Sequence, residues 1–218
     1  MQRMQEKEKI LATQAIKDAE EKERKRIAAD LHDNIGAFAT AISANIDDLV
    51  LKKAVTDEPV LKNMKDNAAE IMLNLRDTIW VLHKEAVPVT SISDRFKAYS
   101  QKISNSYPGI FVEIQEDIKE DILLSPEHAL HMLRIMQEAF HNALRHSKCS
   151  GITVSIISYH GLRVKIIDNG SGINNEEKSN GTGLENMQQR AAAMGWKLLI
   201  KNLGNTGSAI ELHATTIK

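Results

Sequence analysis

Aromatic residues make up only 4% of this 218-residue chain, so stacking platforms for nucleobases are not expected. A single cysteine, Cys149, excludes an internal disulfide and suits a reducing compartment. Neither sign of charge dominates. The 28 Lys and Arg stand against 29 Asp and Glu, a formal net charge of -1, which argues against direct binding of nucleic acid or another polyanion. No apolar run is long enough to span a bilayer, and the opening MQRMQEKEKI does not read as a signal peptide. The expectation is a cytoplasmic chain that would meet a membrane only through a region absent from this sequence. With 42% hydrophobic and 26% charged residues, what remains is an ordinary soluble protein of one sizeable or two small domains.

Helix breakers are also scarce where the chain begins. From Met1 to about Lys53 there is one glycine, Gly36, and no proline, which favours one very long helix. Its second half carries Ile27, Leu31, Ile35, Phe38, Ile42, Ile46 and Leu49 at three- and four-residue steps, a heptad-like seam. Upstream, KDAEEKERKR is almost wholly charged and reads as a solvated, weakly paired stretch. Lys52 to Pro59 reads as a turn. A second helix then repeats the pattern with Val60, Met64, Ala68, Ile71, Leu75, Ile79 and Leu82. Two such helices form an antiparallel hairpin. Each has more apolar face than one partner covers, so a homodimeric four-helix bundle is the expected state of residues 1–88.

The pattern changes at Val87 to Thr90, where Pro88 ends the helical periodicity. A helix fits Ile92 to Ser106, a strand Ile110 to Ile114, and Ser125-Pro126-Glu127 has the cap, proline and acid of a helix start. That helix is expected to run to about His146. Strands fit Ile152 to Ile157 and Leu162 to Asp168 around the turn His160-Gly161. A helix from Leu184 to Met194 stops at Gly195, and strands from Trp196 to Lys201 and Ser208 to His213 follow. Residues 89–218 thus read as an α+β domain with helices on one face of a mixed sheet.

Three clusters carry chemistry. In ERKRIAADLHDNIGA, His32 follows the seam residue Leu31, so it points about 100° away from the seam, towards solvent. A neutral imidazole there is a competent nucleophile, and Asp33 could accept its other ring N–H. Taken alone, a His-Asp pair on a charged helix is better read as a solvated histidine. In the second cluster, Glu138, Asn142, Arg145 and His146 share one polar edge of a helix. Asn142 offers a hard oxygen suited to Mg²⁺, while Arg145 or Lys148 could neutralise phosphate. An amphipathic helix with a capped end would look the same. The third is Asp168-Asn169-Gly170-Ser171-Gly172 followed by Gly181-Thr182-Gly183-Leu184. Glycines admit close approach of backbone N–H groups to an anion, and the helix after Gly183 adds a positive dipole end. A strand-end acid such as Asp168 can accept a hydrogen bond from an amino group.

All three clusters in this order resemble the bacterial sensor histidine kinases that carry an L-H-D-x-x-G phosphoacceptor box. The resemblance spans nearly the whole chain. The box stands as Leu31-His32-Asp33-Asn34-Ile35-Gly36, and the family's N box as Glu138 to His146. Its first glycine box stands as Asp168-x-Gly170-x-Gly172, and its second as Gly181-x-Gly183-Leu184. Gly207-Ser208 occupies the place of the family's Gly-Thr. The fold implied is a dimerising helical hairpin followed by the α/β-sandwich ATPase domain shared with gyrase, heat-shock chaperones and mismatch-repair ATPases. The residues implied at ATP are Glu138, Asn142, Arg145, His146, Asp168, Gly170, Gly172, Gly181, Thr182, Gly183, Leu184 and Ser208, with Asn142 on Mg²⁺ and Asp168 on the adenine amino group. The short segment between the glycine boxes is then the ATP lid.

The implied activity is ATP-dependent phosphorylation of His32, with Asp33 as base or orienter, then transfer to an aspartate of a response-regulator receiver domain. A flexible break near Pro88 would let the ATP domain reach His32. The long N-terminal helix, with its charged stretch, would be the element on which a signal acts. One departure bears on a second activity. Many relatives place a water-positioning Gln five residues after the phosphohistidine, where this chain has Ala37 followed by Phe38; kinase activity is therefore better supported than phosphatase activity. Two other readings stay open from the residues: a serine protein kinase of the same ATPase superfamily, and an ATP-binding dimeric scaffold without kinase activity.

Overall fold

The computed structural model describes residues 2–30, 41–42, 44–45, 58–172 and 182–214. The chain divides into two compact units, Met1–Glu85 and Ala86–Lys218. The first holds helix α1 (Gln2–Asp30) and helix α2 (Glu58–Leu82). Helix α2 starts inside the expected turn, with Pro59 in its first turn, where a missing N–H costs nothing. Arg24 Nη1 donates to Lys84 O at 3.4 Å, so the chain just past α2 returns alongside α1, as an antiparallel hairpin requires. Ala28 and Ala68 are buried while Ile16 and Met64 stay largely exposed. The charged stretch of α1 pairs within itself, Glu21 with Lys25 and Glu23 with Arg26. Much of the expected seam, from Leu31 to Phe38 and at Ile46 and Leu49, lies outside the described residues, as do positions 52–57 of the turn.

After α2, His83 to Ala86 have neither helix nor strand. Helix α2 has already ended at Leu82, and Pro88 is not a free break. Strand β1 (Val87–Pro88) pairs antiparallel with β3 (Leu123–Leu124), and Val89 N–H donates to Ile122 O at 3.1 Å. Thr90 adds two bonds to the Asp121 carboxylate, from its N–H at 3.1 Å and its hydroxyl at 2.7 Å. Helix α3 (Val89–Ser104) therefore starts three residues ahead of the expected Ile92. Pro88 at its N-cap supplies extended backbone while Val87 and Val89 are driven into the core.

The second unit is built on a five-stranded sheet of order β2-β4-β5-β7-β6. The strands are β2 (Phe111–Ile118), β4 (Gly151–Ser158), β5 (Leu162–Asp168), β6 (Lys197–Asn202) and β7 (Ser208–Ala214). Only β2 and β4 run parallel, joined through helix α4 (Pro126–His146), a crossover that parallel strands demand. Strand β2 continues past the expected Ile114 because its remaining residues pair with β4 as far as Ser158. Buried and less buried residues alternate along β4, so one face meets α3, α4 and α5 (Thr182–Ala193). Phe96 on α3 and Phe140 on α4, both fully buried, meet edge to face at 5.7 Å in the core. Beside them Glu116, on the inner face of β2, is held by Ser93 and Lys97 of α3, each at 2.5 Å.

Candidate nucleotide site

Helix α4 is the beam on which the site is assembled. Ser125 Oγ accepts the His128 N–H at 3.2 Å, the cap expected from the sequence, and Pro126 fills the first turn. The apolar side of the helix sinks Ala129, Met132, Leu133, Met136 and Phe140 into the core. This leaves Glu138 and Asn142, one turn apart, half-buried on another edge, with Arg145 and His146 exposed beyond them.

The start of α5 lies against that edge. A Cβ built on Gly183 would overlap Glu138 Oε1 and lie 3.4 Å from Asn142 Nδ2. Only a residue without a side chain lets the first turn of α5 come this close. The N-terminus of a twelve-residue helix, with its outward N–H groups and partial positive charge, is thus set beside a carboxylate and an amide. Thr182 and Leu184 flank Gly183 in this turn, and Leu184 is half-buried. Gly181 lies outside the described residues, as does the expected lid at positions 173–180.

The other glycine loop reaches the same helix farther along. Asp168 ends β5 and is buried. Its Oδ1 accepts the Gly170 N–H at 2.9 Å, and its Oδ2 accepts the Ser208 hydroxyl at 2.5 Å. Ser208 faces Asp168 because β5 and β7 pair in that register. A Cβ on Gly170 would overlap Ser147 O, just after α4, and Ser171 N–H donates to the same carbonyl at 2.8 Å. Gly172, in left-handed backbone at φ 78°, closes the loop against Asn202 and Gly204. Both glycine loops therefore land on α4: Gly183 at Glu138 and Asn142, Gly170 and Ser171 at Ser147.

This arrangement accounts for Glu138, Asn142, Asp168, Gly170, Gly183 and Ser208 as one assembly. Arg145 and His146 are exposed near its end. His32 and Asp33 lie outside the described residues. Sequence reasoning passed over Asn169, whose side chain bonds to Ser150 and Gly151. The signal for it was the Asp-Asn-Gly run, since Asn side chains bond neighbouring backbone in turns.

Comparison with known proteins agrees with this layout. A family model described as histidine kinase matches residues 23–87, a segment that contains His32 and Asp33. A second, described as histidine kinase-, DNA gyrase B-, and HSP90-like ATPase, matches residues 127–216, which contain both glycine loops and all of α4 after Pro126. The chain belongs to the histidine kinase family. Among curated relatives of that family it is 29% identical over 202 residues to the sensor histidine kinase LiaS of Bacillus subtilis, covering 87% of this chain and 53% of LiaS. It is 30% identical over 205 residues to the sensor protein VraS of Staphylococcus haemolyticus, covering 91% of this chain and 57% of VraS. The chain thus spans little more than half the length of these relatives. The fold is shared with a blue-light activated histidine kinase of Erythrobacter litoralis. That structure aligns at a TM-score of 0.59 and 16% identity, over 87% of this chain and 59% of that one. The separate histidine kinase domain of the same protein aligns at 0.53 and 16% identity, over 82% and 94%. Among the described residues, no helix is long and apolar enough to cross a membrane.

Proposed function

We propose that this chain is the kinase core of a sensor histidine kinase, phosphorylating its own His32 from ATP and passing the phosphoryl group to an aspartate of a response-regulator receiver domain. One observation carries the reading: both glycine loops converge on α4, so that the strand-end pair Asp168–Ser208 and the Glu138–Asn142–Gly183 cluster form one site. Asp168, with Oδ1 and Oδ2 each already holding one donor, keeps lone pairs for the adenine amino group. Gly183 and the α5 N-terminus suit the phosphates, with Arg145 and His146 as further contacts at the exposed end.

The residues fit Mg²⁺. Glu138 and Asn142 bring a carboxylate and an amide together beside the start of α5, and a cation there would take their oxygens and fill its shell with phosphate and water, as Mg²⁺ does. When bound it would neutralise charge on the phosphates.

In the reaction, a ring nitrogen of His32 forms a bond to the γ-phosphorus as the bond to the bridging oxygen breaks and ADP leaves. Asp33 takes or orients the ring proton. Phosphoryl transfer asks mainly for positioning and charge neutralisation. Because β1 is tied to β3, the pivot that brings the ATP site to His32 belongs to residues 83–86 rather than to Pro88. A homodimer of helical hairpins presents His32, and Ala37 in place of a water-positioning Gln leaves phosphatase activity weak. Incubation with labelled ATP tests the reading: acid-labile, base-stable label is expected in the wild type and not in His32→Gln. Label that survives this substitution overturns it.

A further inference from the structure

The loop carrying Asp168 and Gly170 is bonded to the loop that follows α4, and Asn169 is the centre of that contact. Its Oδ1 accepts the N–H groups of both Ser150 and Gly151, each at 2.9 Å. Its Nδ2 donates to Ser150 Oγ at 3.0 Å, and its own N–H donates to Gly151 O at 3.2 Å. Two residues on, Ser171 donates twice to Ser147 O, from N–H at 2.8 Å and from Oγ at 3.3 Å. Ser147 is fastened to α4 in turn, its Oγ donating to Ala143 O at 2.6 Å and accepting the Cys149 N–H at 3.2 Å. Hydrogen bonds thus tie the segment that follows α4 to the Asp168 loop at two points, Ser147 to Ser171 and Ser150–Gly151 to Asn169.

The side chain of Asn169 is suited to this by its length and by having both an acceptor and a donor. Gly151 leaves room for it, a Cβ there lying 3.3 Å from Nδ2. Asn169 is exposed and lies outside the core. Its removal would leave Ser150 and Gly151 N–H groups that water can reach, so the cost to folding is small. What would loosen is the spacing of the two loops.

We propose that Asn169 is a positioning residue for nucleotide binding: by clasping the Asp168 loop to the α4–β4 loop, it fixes the separation between Asp168 on β5 and Asn142 on α4. The proposal rests on the nucleotide-site reading given above. Asn169 needs no contact with the nucleotide to act. It sets the distance between the residue that would hold the adenine and the residue that would hold the metal end, so that one nucleotide can satisfy both.

The test uses the full chain, with calorimetric titration of ATP and Mg²⁺, thermal melting, and autophosphorylation kinetics. Asn169→Ala is expected to weaken ATP binding about tenfold, with its melting temperature within a few degrees of wild type. Its rate at saturating ATP should stay within about twofold, so that KM moves and kcat does not. Asn169→Asp keeps an acceptor on the same short stem, to which Ser150 Oγ can donate instead; binding should return to within about threefold of wild type. Asn169→Gln carries the same groups one methylene too far and should bind as poorly as the alanine variant. Wild-type affinity in Asn169→Ala, or equal affinities in the Asp and Gln variants, overturns the clasp. If the alanine variant fails to fold, the Asp and Gln pair decides. Absence of ATP binding by the wild type would sink the site reading and the clasp together, whereas wild-type binding with indifferent variants would sink the clasp alone.

Discussion

Ser208 donates its hydroxyl to Asp168 Oδ2 across two neighbouring antiparallel strands, at 2.5 Å. The bond does for one carboxylate oxygen what the Gly170 N–H does for the other, fixing the plane in which any further donor must approach. A buried acid held on both oxygens is preorganised for recognition, because little ordering remains to be done when a ligand arrives.

Removing either partner should therefore be felt in binding before it is felt in folding. Ser208→Ala is expected to weaken ATP binding about three- to tenfold, the worth of one hydrogen bond. Asp168→Asn, which also exchanges an acceptor for a donor, should cost about ten- to a hundredfold. Titration calorimetry with ATP would check both, and an Asp168→Asn variant that binds like wild type would contradict the role given to this carboxylate.

The glycines make a contrast that sequence alone would not suggest. In Gly170→Ala the new Cβ overlaps a backbone carbonyl, Ser147 O, which cannot move without dislodging the end of α4. This variant should lose about 1–3 kcal/mol of stability, seen as a lower melting temperature. In Gly183→Ala the Cβ meets the far end of the Glu138 side chain, which can swing away. That variant should melt within a few degrees of wild type yet label poorly with ATP, because Glu138 and the start of α5 have been pushed apart.

A third expectation concerns pH. On the outer sheet face Glu211 lies between Lys201 at 3.0 Å and Lys165 at 3.1 Å. Hydrogen bonds first from Lys201 and then from Lys165 hold its carboxyl below the usual 4.5. The folded state thus releases this proton more readily than the unfolded one. Its contribution is present above the unfolded value and fades as pH falls through the lower, folded one. Glu211→Gln should cost about 1 kcal/mol or less at neutral pH, because the pair is partly solvated. The gap in melting temperature between wild type and variant should narrow as pH falls through the lowered, folded-state value of Glu211. A gap that persists in acid would rule out the ion pair as its source.

Cys149 provides a probe of the α4–β4 loop. It is buried, and its thiol lies 3.7 Å from Ala143 O as a weak donor. Reaction with a chromogenic disulfide reagent should be slow in the folded chain and complete in denaturant. It should quicken in variants that loosen this loop, since modification then follows local opening. Rapid wild-type labelling would show that the loop is not held as described.

Much of the second unit was legible beforehand because its signals are local. Ser125-Pro126-Glu127 predicts the start of α4, and the cap is formed. Leu162 to Asp168 follows the His160-Gly161 turn and is strand over that same span. Gly195 stops α5 through a Schellman turn, with Trp196 N–H on Ala191 O and Gly195 N–H on Ala192 O. The errors cluster where a partner distant in sequence overrules local preference. Pro88 reads as a break, yet pairing with Leu123 makes it part of the domain. The strand expected to end at Ile114 runs on to Ile118, because β4 provides a parallel neighbour through Ser158.

Taken by itself, the order of residues determined most elements of the second unit and which family the chain resembles. All of that is carried by spacing of a few residues along a helix, a strand or a turn. Only the tertiary structure decided that both glycine loops end on α4, that Ser208 completes Asp168, and that Asn169 joins two loops. Asn169 and Ser150 are 19 positions apart, Ser171 and Ser147 24, and Asp168 and Ser208 40. Contacts over such separations depend on sheet register and helix packing, and hydrogen-bonding groups along the chain do not announce which distant partner they will meet.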